Sequence, residues 1–339
     1  FPTLVFFLVD GMGDLMLQRN RDVAPNLWRH RQQAITSVFP STTATAITTL
    51  MTAEPAAVHG LLGWFVRDEH SGEIVAPLPM RHRAGGLVAD PGIVHRLLQV
   101  EPMLARMQRK AAFVTLPELA DGPYARHHGA TAGVHAYSEL EALPEAVARA
   151  AGGEHAAGFV YAYTPLLDAT AHDHGIESEA VRQVLARIDR CFAELCERLP
   201  QALVVASADH GFIDCPESRC IDLAAHRTLY AMLCAPLSGE RRVAYCHVQP
   251  EFADTFGAAV MAELGHALLA VKASEALEMG LFGAGSGTVA AAGDWILIAR
   301  DDWTVRDVLP GEKLYSMIGV HGGLTPQEMW VPLIVRQPA

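Results

Sequence analysis

Apolar runs of five or six residues recur along the chain, and each leads to a polar cluster. Leu4-Val5-Phe6-Phe7-Leu8-Val9 stops on Asp10-Gly11-Met12-Gly13. Phe159-Val160-Tyr161-Ala162-Tyr163 is followed five residues on by Asp168, with His172 beyond it. Ala202-Leu203-Val204-Val205-Ala206 runs into Asp209-His210-Gly211. Short unbroken runs of this kind predict strands buried on both faces, the usual state at the centre of a parallel sheet. Between them the spacing turns helical. Leu140 to Ala151 and Ser178 to Leu199 both fit, and Val181, Val184, Leu185, Ile188, Phe192 and Leu195 make one apolar face. Pro25 suits the first turn of a helix over about 25–33. A short strand, Ile35 to Phe39, then precedes Pro40-Ser41-Thr42-Thr43, and a helix runs from Ala44 to about Met51. Further strands are predicted at 111–116, at Trp295 to Ala299, and after the loop Val320-His321-Gly322-Gly323. This alternation predicts an α/β fold with a mostly parallel central sheet sandwiched by helices.

Two stretches break the alternation. Residues 67–106 carry many prolines and glycines, and 213–285 ends in a Gly-rich run at 280–287. We read both as inserted segments of a smaller cap lobe. That leaves 1–66, 107–212 and 286–339 as a discontinuous catalytic core. The chain has 339 residues, beyond the size at which one hydrophobic core keeps growing. The net charge of −12 argues against a surface that coats nucleic acid. It leaves a phosphate substrate open, because metal ions supply positive charge locally. None of the six cysteines forms a C-x-x-C pair, which argues against a zinc ribbon or redox motif. Cys215 and Cys220 are spaced to close a small loop; reduced thiols are the equal or better reading in a chain of this length. No apolar stretch reaches the length of a membrane span. The compartment, cytoplasmic or periplasmic, stays open, since a leader can be removed or trimmed.

Ligands in open α/β sheets bind outside the carboxyl ends of the strands, where Asp10, Asp168, Asp209 and His210 are expected. Each motif has an ordinary reading by itself. Asp-Gly after a strand is a turn, Asp168 and His172 share a helical face, and Thr43 is an N-cap. Together they make a ligand inventory for two metal sites. One takes Asp10, Asp209, His210 and the Thr43 oxygen. The other takes Asp168, His172 and His321 and keeps a position open for substrate or water. Carboxylate with imidazole favours zinc, manganese or iron over calcium. Two such metals about 4 Å apart clamp the oxygens of an in-line displacement at phosphorus. At a strand-to-helix junction Thr43 also faces an anion site, and a metal that lowers its pKa makes it a nucleophile.

The order of these pieces resembles the alkaline phosphatase superfamily, and within it the type I phosphodiesterase/nucleotide pyrophosphatase family. They are Leu8-Val9-Asp10-Gly11; Phe39-Pro40-Ser41-Thr42-Thr43-Ala44-Thr45 with His59-Gly60; Asp168-Ala169-Thr170-Ala171-His172 with Gly175; Ala208-Asp209-His210-Gly211; and Val320-His321-Gly322-Gly323. The resemblance implies two divalent metals, zinc foremost, held in the grouping above, with Thr43 as covalent nucleophile. It also exposes a departure. Family members with nucleotide pyrophosphatase activity carry an asparagine that hydrogen-bonds the phosphoryl oxygen, and the matching position here is Trp64. Its ring stacks a base or an aromatic leaving group, or fills core. The Ala44 amide is then the remaining donor to the developing charge.

The leading expectation is a hydrolase of small phosphate esters, a nucleotide among them, acting as a phosphodiesterase through a phosphothreonine intermediate on Thr43. No arginine lies between Ile35 and Trp64, so that segment offers no guanidinium clamp for a monoester dianion. The alternatives on this fold are a phosphomonoesterase, a phosphomutase or a phosphonate hydrolase. Asp10-Gly11-Met12-Gly13 and the His321 loop also resemble cofactor-independent phosphoglycerate mutases. A sulfatase is disfavoured, because Cys234-Ala235-Pro236-Leu237-Ser238 lacks the arginine of C/S-x-P-x-R. A non-catalytic binding protein is the contrasting class, and the complete ligand set with an intact Thr43 argues against it.

Overall fold

The first apolar run forms the strand Leu4–Val9 in the middle of a seven-stranded sheet. Across that sheet the order is Arg31–Thr36, Trp330–Arg336, Leu203–Ser207, Leu4–Val9, Phe159–Thr164, Ala111–Thr115, Gly133–Ala136. The five strands from Leu203–Ser207 to Gly133–Ala136 pair in parallel, and Trp330–Arg336 runs antiparallel to both its neighbours. This computed structural model describes residues 2–130, 132–152, 156–285, 290–312 and 315–339. The expected core boundary at 286, and the end of the Gly-rich run at 286–287, lie outside the described residues.

The chain divides into two units. The first comprises Phe1–Ser37, Glu101–Phe212 and Pro326–Ala339 and contains the seven-stranded sheet. Its longest helix, Glu179–Arg198, starts where the Ser178 hydroxyl accepts from the Val181 amide at 3.2 Å, an N-cap. The six apolar residues that predicted its inner face are all buried in one cluster with Val5, Phe7, Val9, Val160 and Ala162. Asp189 lies on that same buried face. Its carboxylate accepts from the Leu27 amide at 2.8 Å and from Asn26 Nδ2 at 2.7 Å, which ties down the start of the helix Pro25–His30.

That helix stops at His30 rather than about 33, and the following strand is Arg31–Thr36 rather than Ile35 to Phe39. Arg-Gln-Gln-Ala-Ile-Thr carries no buried apolar alternation because it is an edge strand with partly exposed side chains. Arg31 reaches Asp14 with Nη2 at 2.8 Å. Asp14 opens a short helix, Asp14–Arg19.

The second unit comprises Val38–Val100 and Ile213–Thr325. It holds an antiparallel sheet ordered Ser238–Gly239, Val243–Cys246, Trp295–Ala299, Leu268–Lys272, together with the helices Thr43–Thr52 and Phe256–Leu264. Residues 38–66 and 290–325 group with this unit, and 326–339 with the first. The packing explains the grouping. Phe39, Ala56, Ala57 and Leu62 bury against Val243, Tyr245, Ile296 and Ile298, and the Tyr245 hydroxyl donates to Leu62 O at 2.7 Å. Within 67–100, the half-buried Arg83 pairs with Asp307 at 2.8 Å and Glu312 at 2.9 Å. All six cysteines are free, so Cys215 and Cys220 do not bridge. Among the described residues no helix is long and apolar enough to cross a membrane.

Phe192 is fully buried in the first unit. Its replacement by alanine should destabilise that unit by about 3–5 kcal/mol, read as a lowered urea midpoint followed by near-ultraviolet circular dichroism. A loss below about 1 kcal/mol would show that the helix face is not packed as described.

Candidate active site

Register places the chemistry of the first unit. Leu4–Val9 pairs with Phe159–Thr164 so that Val9 faces Thr164, and with Leu203–Ser207 so that Leu8 faces Ser207. Three neighbouring parallel strands therefore end level with one another. Asp10 follows the first directly, its amide donating to Thr164 O at 3.0 Å. Asp209 and His210 follow Leu203–Ser207 by two and three residues. Asp168 and His172 lie on the helix Leu166–His174, which begins just after Phe159–Thr164.

The loops can approach because of glycine. Gly11 has φ of +74°, and a Cβ there would meet the Phe212 ring at 2.4 Å, so only glycine fits without displacement. Gly211 donates to Glu328 O at 2.7 Å, and a Cβ on it would stand 2.0 Å from Gln327 O. Asp10, Asp209 and His210 are buried. His210 Nε2 lies 3.4 Å from Asp10 Oδ1 and 3.5 Å from Asp209 Oδ2. Both of those buried carboxylate oxygens lack a hydrogen-bond donor. Asp10, Asp168 and His210 each offer a ligand atom, and the three atoms lie within 4.8 Å of one another. His172 Nε2 is 3.4 Å from Asp168 Oδ1.

Such crowding of acids has an electrostatic signature. Burial first, then the Asp209 and Asp168 carboxylates, pushes the Asp10 carboxyl well above its usual value. Burial and the charges of Asp10 and Asp209 also push the Tyr163 phenol up, so it stays protonated and donates to Asp10 Oδ2. A divalent cation bound to the undonated oxygens would remove this mutual repulsion. The donor set, carboxylate and imidazole, suits zinc, manganese or iron.

The second unit holds Thr43, Ala44, Trp64 and His321. Thr42, not Thr43, is the N-cap of Thr43–Thr52, and its side chain makes no capping hydrogen bond. Thr43 is thus the first helical residue, beside amides that the cap side chain leaves to other partners. The His321 loop is fastened to this junction. The Ser41 amide donates to Gly322 O at 3.3 Å and its hydroxyl to Gly323 O at 2.7 Å. Trp64 is 38% exposed, so it does not fill core. Its loop is held by Glu240, whose Oε1 accepts from the Trp64 amide at 2.9 Å while Oε2 lies 3.6 Å from His321 Nδ1. His59 accepts from the Leu61 amide at 3.2 Å through Nδ1 and faces Thr49 Oγ1 at 2.9 Å through Nε2. Burial lowers its pKa to about 4, so it stays neutral and ties this loop to the helix.

Three participants were not expected from the sequence: Tyr163, Phe212 and Glu240. The Phe212 ring packs against His172 at 5.0 Å and against His210 at 5.5 Å, centroid to centroid. Tyr163 carried one readable signal, a polar-tipped aromatic at the last positions of a buried strand.

The sequence matches the model of the type I phosphodiesterase/nucleotide pyrophosphatase family over residues 4–324, and the chain belongs to that family. It is a phosphoester hydrolase with side-chain clusters able to hold a metal. Comparison with curated proteins gives no match. Among solved structures it is similar to murine ectonucleotide pyrophosphatase/phosphodiesterase 5. The identity is 16%, the TM-score 0.75, and the coverage 99% of this chain and 88% of that one. It is likewise similar to an inactive threonine-to-alanine form of that murine protein in complex with AMP, at 17% identity and a TM-score of 0.72, covering 100% and 89%. Phosphonoacetate hydrolase from Sinorhizobium meliloti, in complex with phosphonoformate, is similar at 18% identity and a TM-score of 0.71, covering 99% and 90%. These likenesses establish the fold.

The raised Asp10 pKa sets a pH dependence for metal-free protein. Between its unfolded value near 3.8 and the raised native value, the native state holds more protons than the unfolded one. The contribution of Asp10 to stability is therefore lost as pH rises through that window. With chelator present, the stability of Asp10→Asn relative to wild type should rise as the pH is raised above the ordinary carboxyl value near 3.8. Urea unfolding at several pH values measures the gap. A gap independent of pH would contradict the electrostatic description.

Proposed function

We propose that the chain is a two-metal phosphodiesterase of the nucleotide pyrophosphatase type that works through a phosphothreonine on Thr43. The observation that carries this reading is the pair of buried oxygens, Asp10 Oδ1 and Asp209 Oδ2, without a hydrogen-bond donor and both facing His210 Nε2. In this proposal one metal is held by Asp10, Asp209, His210 and Thr43, and the other by Asp168, His172 and His321. The catalytic core is 1–66, 107–212 and 286–339, and 67–106 and 213–285 cap it. Zinc is the favoured ion, with manganese and iron as alternatives.

Metals held by these residues would supply positive charge to the attacking hydroxyl and to the phosphoryl oxygens. Thr43 Oγ1, its proton lost to solvent, attacks phosphorus in line, the bond from phosphorus to the ester oxygen breaks with the electron pair leaving on that oxygen, and a phosphothreonine forms. Water then attacks the same phosphorus and gives a proton to solvent, the P–Oγ1 bond breaks, and Thr43 Oγ1 takes up a proton. The Ala44 amide donates to a phosphoryl oxygen. The exposed Trp64 ring stacks a base or an aromatic leaving group. The inactivity of the murine relative's threonine-to-alanine form, and its complex with AMP, support a threonine-dependent reaction and a nucleotide substrate. A second reading, phosphonate hydrolysis with the same residues, is favoured by the likeness to phosphonoacetate hydrolase and by Trp64 in place of the family's asparagine.

A panel of aryl diester, nucleotide ester, aryl monoester, phosphonate and sulfate ester at fixed zinc separates these readings. We expect the highest kcat/KM on a diester. A monoester or phosphonate cleaved faster than the matching diester would replace the phosphodiesterase assignment.

Thr43→Ala should fold and bind metal yet lose several orders of magnitude in kcat. Thr43→Ser should keep part of the turnover, and acid-quenched wild type should carry phosphate on Thr43. Near-normal turnover in Thr43→Ala would reject the covalent route. Dialysis against a chelator should abolish activity, and zinc should restore it with about two ions per chain. A hydrolase indifferent to chelation would reject the metal reading.

A further inference from the structure

The two acids beside His210 are not held alike. Asp209 Oδ1 accepts from two backbone amides, Gly11 at 3.0 Å and His210 at 3.1 Å. Its other oxygen, Oδ2, is the one turned to His210 Nε2. Folding of the loop alone therefore fixes which oxygen Asp209 presents. The Asp10 carboxylate is oriented by a side chain. The Tyr163 hydroxyl donates to Asp10 Oδ2, leaving Oδ1 toward the imidazole.

Tyr163 is well placed to do this rigidly. It is 8% exposed and stands opposite Leu8 in the parallel register. Its own carbonyl accepts from the Tyr137 hydroxyl at 2.9 Å. A carboxylate with both oxygens undonated can chelate through either or both. One oxygen engaged by a donor leaves a single, directed ligand atom. Partners of this kind orient metal ligands, and their loss typically weakens metal binding by about 10–100-fold.

We propose that Tyr163 is a positioning residue that commits Asp10 to one-oxygen ligation through Oδ1. This rests on the reading of Asp10, Asp209 and His210 as metal ligands. The consequence is a site with three directed atoms, two carboxylate oxygens and one imidazole nitrogen. Each carboxylate's second oxygen is already occupied by a protein donor.

The test is cobalt titration of metal-free wild type, Tyr163→Phe, Asp10→Ala and the double variant, followed by visible absorption and competition with a chelator. In wild type we expect tight binding with the absorption of a low-coordinate site. Tyr163→Phe should weaken one site by about 10–100-fold and dim its visible bands, as two-oxygen chelation by Asp10 raises the coordination number. In the Asp10→Ala background the same change should have no further effect, because Tyr163 acts through Asp10. An unchanged affinity and spectrum in Tyr163→Phe, or an equal loss with Asp10 absent, overturns the positioning role and leaves the metal centre standing. Wild type that binds no cobalt overturns both. If the phenylalanine variant does not fold, Tyr163→Gln and Tyr163→Met, alike in length and differing in a donor, carry the comparison. The glutamine form should bind more tightly, and equal binding overturns the proposal.

Discussion

Burying several carboxylates at the ends of neighbouring strands is the constraint that the first unit is built around. Asp10 and Asp209 are both 2% exposed, and each has an oxygen that no protein donor reaches. Such an arrangement is unfavourable for a protein without a cation, as the raised pKa of Asp10 records. The fold sustains it through register. Parallel pairing of Leu4–Val9 with both neighbours sets the three strand ends level. The glycines at 11 and 211 then let the loops close at distances no other residue permits. The surrounding apolar core holds the frame against the repulsion it contains.

The second unit applies the same economy to Thr43 and His321. Two hydrogen bonds from Ser41 fasten the His321 loop to the segment that opens the helix Thr43–Thr52. Glu240 joins that loop to the Trp64 backbone. A buried neutral His59 joins the Trp64 loop to the helix. The loops carrying these groups are thus fastened by hydrogen bonds from Ser41, His59 and Glu240, which suits a site that must be preorganised.

Much of this was legible in the sequence because buried parallel strands have few alternatives. Six apolar residues ending on Asp-Gly, and five ending near Asp-His-Gly, specify both an element and the place where it ends. The helix 179–198 announced itself by its apolar face. Arg31–Thr36 was not legible, because an edge strand has no need of apolar alternation and its pairing is chosen by Trp330–Arg336 far along the chain. The grouping of 38–66 with the second unit was hidden for a similar reason. Phe39, Ala56, Ala57 and Leu62 look like any apolar residues until the sheet around Val243 and Ile298 is in place. Tyr163, Phe212 and Glu240 escaped notice because they touch candidate ligands instead of being ligands, and nothing in a motif marks a residue that acts through another.

The central claim is that Asp10, Asp209 and His210 form a metal site. Anomalous scattering at the zinc edge, from crystals of the wild-type protein grown with zinc, tests it most directly. The account predicts a peak about 2.0–2.2 Å from Asp10 Oδ1, Asp209 Oδ2 and His210 Nε2. A zinc-replete crystal with no peak at those three atoms, and with their polar groups bridged by water or protein donors instead, would contradict it.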